Sequence, residues 1–310
     1  MSARNFRDLL EAQWERGNFV CVGLDSDFTK IPESARRFDE VDVDVAATIL
    51  NFNREIVVAT MDLVCAYKPN VAFYEAYGAA GLRALEMTAD LISKEAPSVP
   101  IILDAKRADI GNTNAGYVKY AFDLLKADAV TVHPYLGQEA LQPFLARADK
   151  GIFVLCRTSN KGADEFQDLP MLVPQERVDE LLNPMLKQQI SDMRWPLYQH
   201  VAFNVAKRWN ANSNCGLVVG ATYPEELAEV RHLVGDMPIL IPGVGAQGGD
   251  LEKSVAVGKD SRGRGFIVNS SRGIIFASSG DDYAEAAHRE TMRLRDAINE
   301  CLETEREVVS

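Results

Sequence analysis

Eight short apolar runs, each followed by a stretch of helical periodicity, constrain this chain more than any other feature. They lie at 19–25, 63–70, 99–103, 129–134, 151–159, 216–222, 238–243 and 265–270. None alternates cleanly between apolar and polar residues, the pattern of strands covered on both faces. Strands that alternate with helices build a parallel sheet, and eight of them favour a closed (β/α)8 TIM barrel over an open one.

Helical spacing predicts an N-terminal helix over 3–16, ended by Gly17, and further helices over 44–62, 76–95 and 281–303. Pro69 stops the second strand. One connection is too long for a simple barrel: residues 160–215 separate strands five and six, with candidate helices near 175–191 and 196–210. That segment reads as a helical insertion within a single barrel domain spanning 1–310.

The composition excludes several function classes. A net charge of −12 disfavours nucleic-acid binding, which needs a basic face. No run approaches a membrane span, and the start, Met1 to Arg7, lacks the apolar core of a signal peptide. Five cysteines without a CxxC pair read as reduced thiols of a cytoplasmic protein. The four histidines show no metal-ligand spacing, so no metal is assigned.

The chemistry-bearing residues sit at strand ends. Asp25 ends strand one, Lys68 ends strand two, and Asp104-Ala-Lys106-Arg-Ala-Asp109 follows strand three, where a helix begins. All strand ends of a barrel face one mouth, where catalysis occurs. Asp104 and Lys106, two apart, point to the same side if the strand geometry persists. Two lysines among three carboxylates predict a network in which each charge has an opposite neighbour. Such lysines keep their protons, which argues against Schiff-base chemistry and for proton delivery or carbanion stabilisation. Across the ring, Pro242-Gly243-Val-Gly245-Ala-Gln247-Gly248-Gly249 follows strand seven and Asn269-Ser270-Ser271-Arg272-Gly273 follows strand eight. These are the positions of a barrel phosphate site. Lys259, Arg262, Arg264 and Arg272 against Asp260 give a local excess of positive charge there. Thr158-Ser159-Asn160, after strand five, offers neutral hydrogen-bonding groups for either an uncharged polar ring or a simple turn.

Taken together, Asp104-x-Lys106-x-x-Asp109-Ile-x-Asn-Thr113, Lys68, Asp25, the Pro-Gly-Val-Gly-Ala-Gln247-Gly-Gly run and Arg272 resemble the orotidine 5′-phosphate decarboxylase family, in its larger-chain branch. The resemblance covers most of the barrel. It implies conversion of orotidine 5′-phosphate to uridine 5′-phosphate (UMP) in pyrimidine biosynthesis, without metal or cofactor. Asp104 would face the substrate carboxylate, and Lys106 would stabilise and protonate the C6 carbanion. Lys68 and Asp109 would complete the charge array, with Asp109 and Thr113 entering the neighbouring subunit's site in a homodimer. Asp25 and Lys68 would hold ribose hydroxyls, Ser159 the pyrimidine edge, and Gln247 and Arg272 the 5′-phosphate. Gly111 and Ser271 depart from the family's pattern, where Pro and Gly are frequent. A sister sugar-phosphate decarboxylase or aldolase would carry an acidic metal ligand in place of Lys68. A silent nucleotide-binding barrel is the other alternative.

Overall fold

The computed structural model describes residues 4–38, 44–174, 194–244 and 250–309. Eight parallel strands form one sheet: β1 (Val20–Gly23), β2 (Val64–Lys68), β3 (Ile102–Arg107), β4 (Ala129–Val132), β5 (Gly151–Arg157), β6 (Cys215–Val219), β7 (Ile239–Pro242) and β8 (Phe266–Ser270). β8 pairs with β1, and the bridges Tyr67–Ile101 and Asn70–Asp104 join β2 to β3, so the ring closes. The (β/α)8 barrel expected from the eight runs is the fold. Side chains of β1, β2, β4 and β6 are buried along their whole length, which is why their sequences do not alternate.

The helix Phe6–Glu15 starts where the Asn5 side chain accepts the Arg7 and Asp8 backbone N–H groups. It seals the floor of the barrel. The Phe6 ring meets the Phe153 ring edge-on at 5.6 Å, and Arg4 Nε lies 2.6 Å from the buried Asp128. The open end is therefore the opposite one, at the C-terminal ends of the strands.

The structure adds local detail to three of these expectations. The third strand does not stop before the charged motif but runs to Arg107, carrying Asp104 and Lys106 within it. Its pairing with β4 shifts register between Leu103 and Arg107, and Lys106 adopts φ 46°, because its N–H donates to Thr131 Oγ1 and not to the ladder. The helix expected over 76–95 is present as Gly78–Glu95, and a separate short helix, Ala72–Glu75, precedes it. In the insertion, Pro170–Leu172 pairs antiparallel with Arg194–Pro196, and Leu197–Asn204 continues into a wider π turn over Val205–Trp209. The helix expected near 175–191 lies outside the described residues.

Candidate active site

The barrel mouth holds a cavity of about 470 Å³ lined by Lys68, Asp104, Lys106, Thr131, Leu155, Thr158, Ser159, Asn160, Gln167, Val218, Leu240 and Pro242. Every barrel strand from β2 to β7 contributes to it or to the loop that follows it. One wall is charged, the other side apolar and neutral-polar.

Asp104 organises the charged wall. Its carboxylate accepts hydrogen bonds from Lys68 Nζ at 2.9 Å, Lys106 Nζ at 2.6 Å and Thr131 Oγ1 at 2.8 Å. Asp25 Oδ1 lies 4.0 Å from Lys68 Nζ, so acid and base alternate along Asp25, Lys68, Asp104 and Lys106. Burial favours the neutral amine of Lys68, but the adjacent Asp104 and then Asp25 outweigh it, and the net shift is upward. Burial likewise favours the neutral acid of Asp104, yet Lys68 and Lys106 hold its carboxyl well below the usual carboxylate range. The two lysines differ in exposure. The Lys68 side chain is 5% exposed and that of Lys106 is 50% exposed. A buried ammonium that anchors a carboxylate, beside an accessible ammonium on the same carboxylate, presents one mobile proton donor held at a fixed place.

Residues 19–288 match the family described as Orotidine 5′-phosphate decarboxylase / HUMPS family. The chain belongs to this family. A protein of Ralstonia pickettii (strain 12J) named orotidine 5′-phosphate decarboxylase is 46% identical over 95% of this chain and 98% of its own length. One of the same name from Cellvibrio japonicus (strain Ueda107) is 44% identical over the same shares. The solved structure of Leishmania donovani OMP decarboxylase superposes with a TM-score of 0.72 at 35% identity, over 94% of this chain and 98% of that one.

Of the residues that the family resemblance singles out, the fold brings Asp25, Lys68, Asp104, Lys106 and Ser159 together at the mouth. Asp109 and Thr113 are not among the described residues that line the cavity. Asp109 instead caps its own turn, its carboxylate accepting the Ile110 N–H and its backbone N–H donating to Asn114 Oδ1. Arg272 is exposed and opens the short helix Arg272–Ile275 after β8. Gln247 lies outside the described residues. The local positive charge read around strand eight does not gather at the mouth. Arg262 pairs with Asp260 and Glu11, and Arg264 with Glu11, because both precede β8 and so belong to the floor. Ser271, a departure from the family pattern, is accommodated by Gly23, where a Cβ would lie 1.9 Å from Ser271 Oγ.

Sequence reasoning missed Thr131 and Gln167. Thr131 sits mid-run in an apolar strand, and only the β3–β4 pairing reveals that it faces Asp104. Gln167 comes from the insertion, in the short helix Asp164–Gln167, and grips the loop after β5.

Proposed function

We propose that the chain is a carboxy-lyase that converts orotidine 5′-phosphate to UMP and CO₂, using side chains alone. The observation that carries this reading is the Asp104 carboxylate shared by two lysines on the cavity wall, one of them accessible. With the pyrimidine between this wall and Ser159, the substrate carboxylate lies beside Asp104, whose fixed charge repels it. Loss of neutral CO₂ relieves that repulsion and leaves the electron pair on C6. The Lys106 ammonium stabilises the pair and then gives C6 a proton, and the half-exposed amine regains one from water. Lys68 stays charged throughout, anchoring Asp104 and meeting the ribose hydroxyls together with Asp25. Arg272 and Gln247 take the 5′-phosphate. An aspartate already occupied by two ammonium groups suits a divalent cation poorly, which favours this reading over a metal-dependent sister enzyme.

The same reading includes a homodimer in which Asp109 and Thr113 enter the partner's cavity. That Asp109 bonds within its own turn, and that neither residue is among those lining the cavity of its own chain, supports it. So do the exposed apolar side chains beside them on neighbouring loops, Ile110 at 62% and Tyr135 at 84% exposure. We place the enzyme in the cytoplasm, in keeping with five free cysteines, four of them buried. Among the described residues, no helix is long and apolar enough to cross a membrane.

The test is the absorbance change of the orotate ring with purified protein and orotidine 5′-phosphate in excess EDTA. Turnover unaffected by the chelator is expected. Loss of turnover restored by Mg²⁺ would select the metal-dependent sister, and nucleotide binding without turnover would select the silent barrel.

A further inference from the structure

Arg157 ends β5 as one of the largest fully buried side chains of the protein, although arginine is almost never buried unpaired. Its Nε lies 3.0 Å from Asp168 Oδ1, its Nη2 donates to Asp168 Oδ2 at 3.1 Å and its Nη1 to Thr158 O at 3.1 Å. The guanidinium carbon lies 4.0 Å from the centre of the Tyr223 ring, on the loop after β6. The neighbouring Gln167 holds the same loop by both ends of its amide: Oε1 accepts the Thr158 N–H and Nε2 donates to Thr158 Oγ1, each at 2.8 Å. From the other side, a Cβ on Gly220 would lie 2.8 Å from Ser159 Cβ and 3.0 Å from Ser159 N, so the loop rests directly on the backbone that follows β6.

We propose that Arg157, Gln167 and Asp168 are positioning residues for base recognition: they fix Thr158–Ser159–Asn160 as a rigid wall of the cavity. The first segment of the 160–215 insertion is then part of the apparatus that selects the pyrimidine. This rests on the proposed placement of the pyrimidine against Ser159. A planar guanidinium suits the task, because it ties the insertion, the strand end and the β6 loop through one rigid group. Recognition by a few neutral hydrogen bonds demands such rigidity, since a displacement of about 1 Å in a supporting group can cost about a hundredfold.

The experiment compares two ligands that share ribose and phosphate but differ in the base. Binding of UMP and of ribose 5-phosphate is measured by calorimetry for the wild-type protein and for Asp168→Ala, Asp168→Glu and Gln167→Ala, alongside wild-type turnover of orotidine 5′-phosphate. Asp168→Ala and Gln167→Ala are expected to weaken UMP by about tenfold or more while ribose 5-phosphate stays within about twofold, and Asp168→Glu to recover most of the loss. Equal weakening of both ligands, or of neither, overturns the positioning role while the decarboxylase reading stands on the wild-type turnover. A wild-type protein that neither turns over the substrate nor prefers UMP to ribose 5-phosphate removes both. If Asp168→Ala does not fold, Gln167→Ala, which leaves the Arg157–Asp168 ion pair intact, decides alone.

Discussion

Removing Lys106 and removing Asp104 should differ sharply in their cost to folding, and the structure sets the size of each. In Lys106→Ala, Asp104 still accepts from Lys68 at 2.9 Å and Thr131 at 2.8 Å, so no buried charge is left alone. The lost ion pair involves a side chain that is 50% exposed, and such pairs contribute about 0–1 kcal/mol. Asp104→Ala instead strands Lys68, 5% exposed, with only Asp25 at 4.0 Å. The gross attraction lost at 2.9 Å is about 6 kcal/mol at an effective dielectric of 20, and breaking a buried pair costs about 3–5 kcal/mol net. At about 2 °C per kcal/mol for a chain of this size, Lys106→Ala should melt within about 2 °C of wild type and Asp104→Ala about 6–10 °C lower. Turnover, followed by orotate-ring absorbance, should fall by at least about 10⁴-fold in Lys106→Ala, the combined scale of a lost general acid and a lost charge stabiliser. UMP binding should change little, because the group acts mainly in the transition state. Near-normal turnover by folded Lys106→Ala protein would refute the assignment, and an equal melting loss in both variants would refute the electrostatic argument.

Three further outcomes are expected. Arg272→Ala should weaken UMP much more than uridine; equal losses would remove the phosphate role. Mixing Lys106→Ala with Asp109→Ala subunits should restore activity to about a quarter of the sites, since random pairing makes about half the dimers hybrid with one repaired site each; exchange confirmed by mass without recovered activity would place Asp109 in its own chain's site. Because the folded state depresses Asp104 below its ordinary value of 3.8, its contribution is fully present above that pH and is lost as pH falls through the folded value. Denaturant titrations should therefore show a steeper acid decline below that pH for wild type than for Asp104→Asn, and parallel curves would contradict the shift.

The residues most legible in the sequence are those whose chemistry contradicts their position. Charges at the ends of buried runs, as at Asp25, Lys68 and Asp104, are costly anywhere except a mouth, so one strand already announces a site. Thr131 carries no such contradiction, since threonine is at home in any strand, and its role exists only through the β3–β4 register. Arg157 does contradict its apolar run, but as the last residue of a strand it passes for a solvated end until Asp168, eleven positions later, is seen folded back onto it. Arg262 and Arg264 misled for a related reason. Proximity in sequence to Arg272 suggested one cluster, whereas a five-residue strand carries the chain from floor to mouth between them.

The left-handed backbone at Lys106 sets a trap for anyone engineering this protein. A residue with a Cβ pays about 1–2 kcal/mol to hold that conformation, and glycine does not. Lys106→Gly should thus be a mutation that gains backbone stability at the position where it removes the proposed proton donor. On the proposed mechanism, a library selected for heat resistance alone would enrich that variant, whereas one that also requires growth without supplied pyrimidine would discard it. Lys106 stands against the local preference of its own backbone, and on the proposed mechanism only selection on turnover would keep it there.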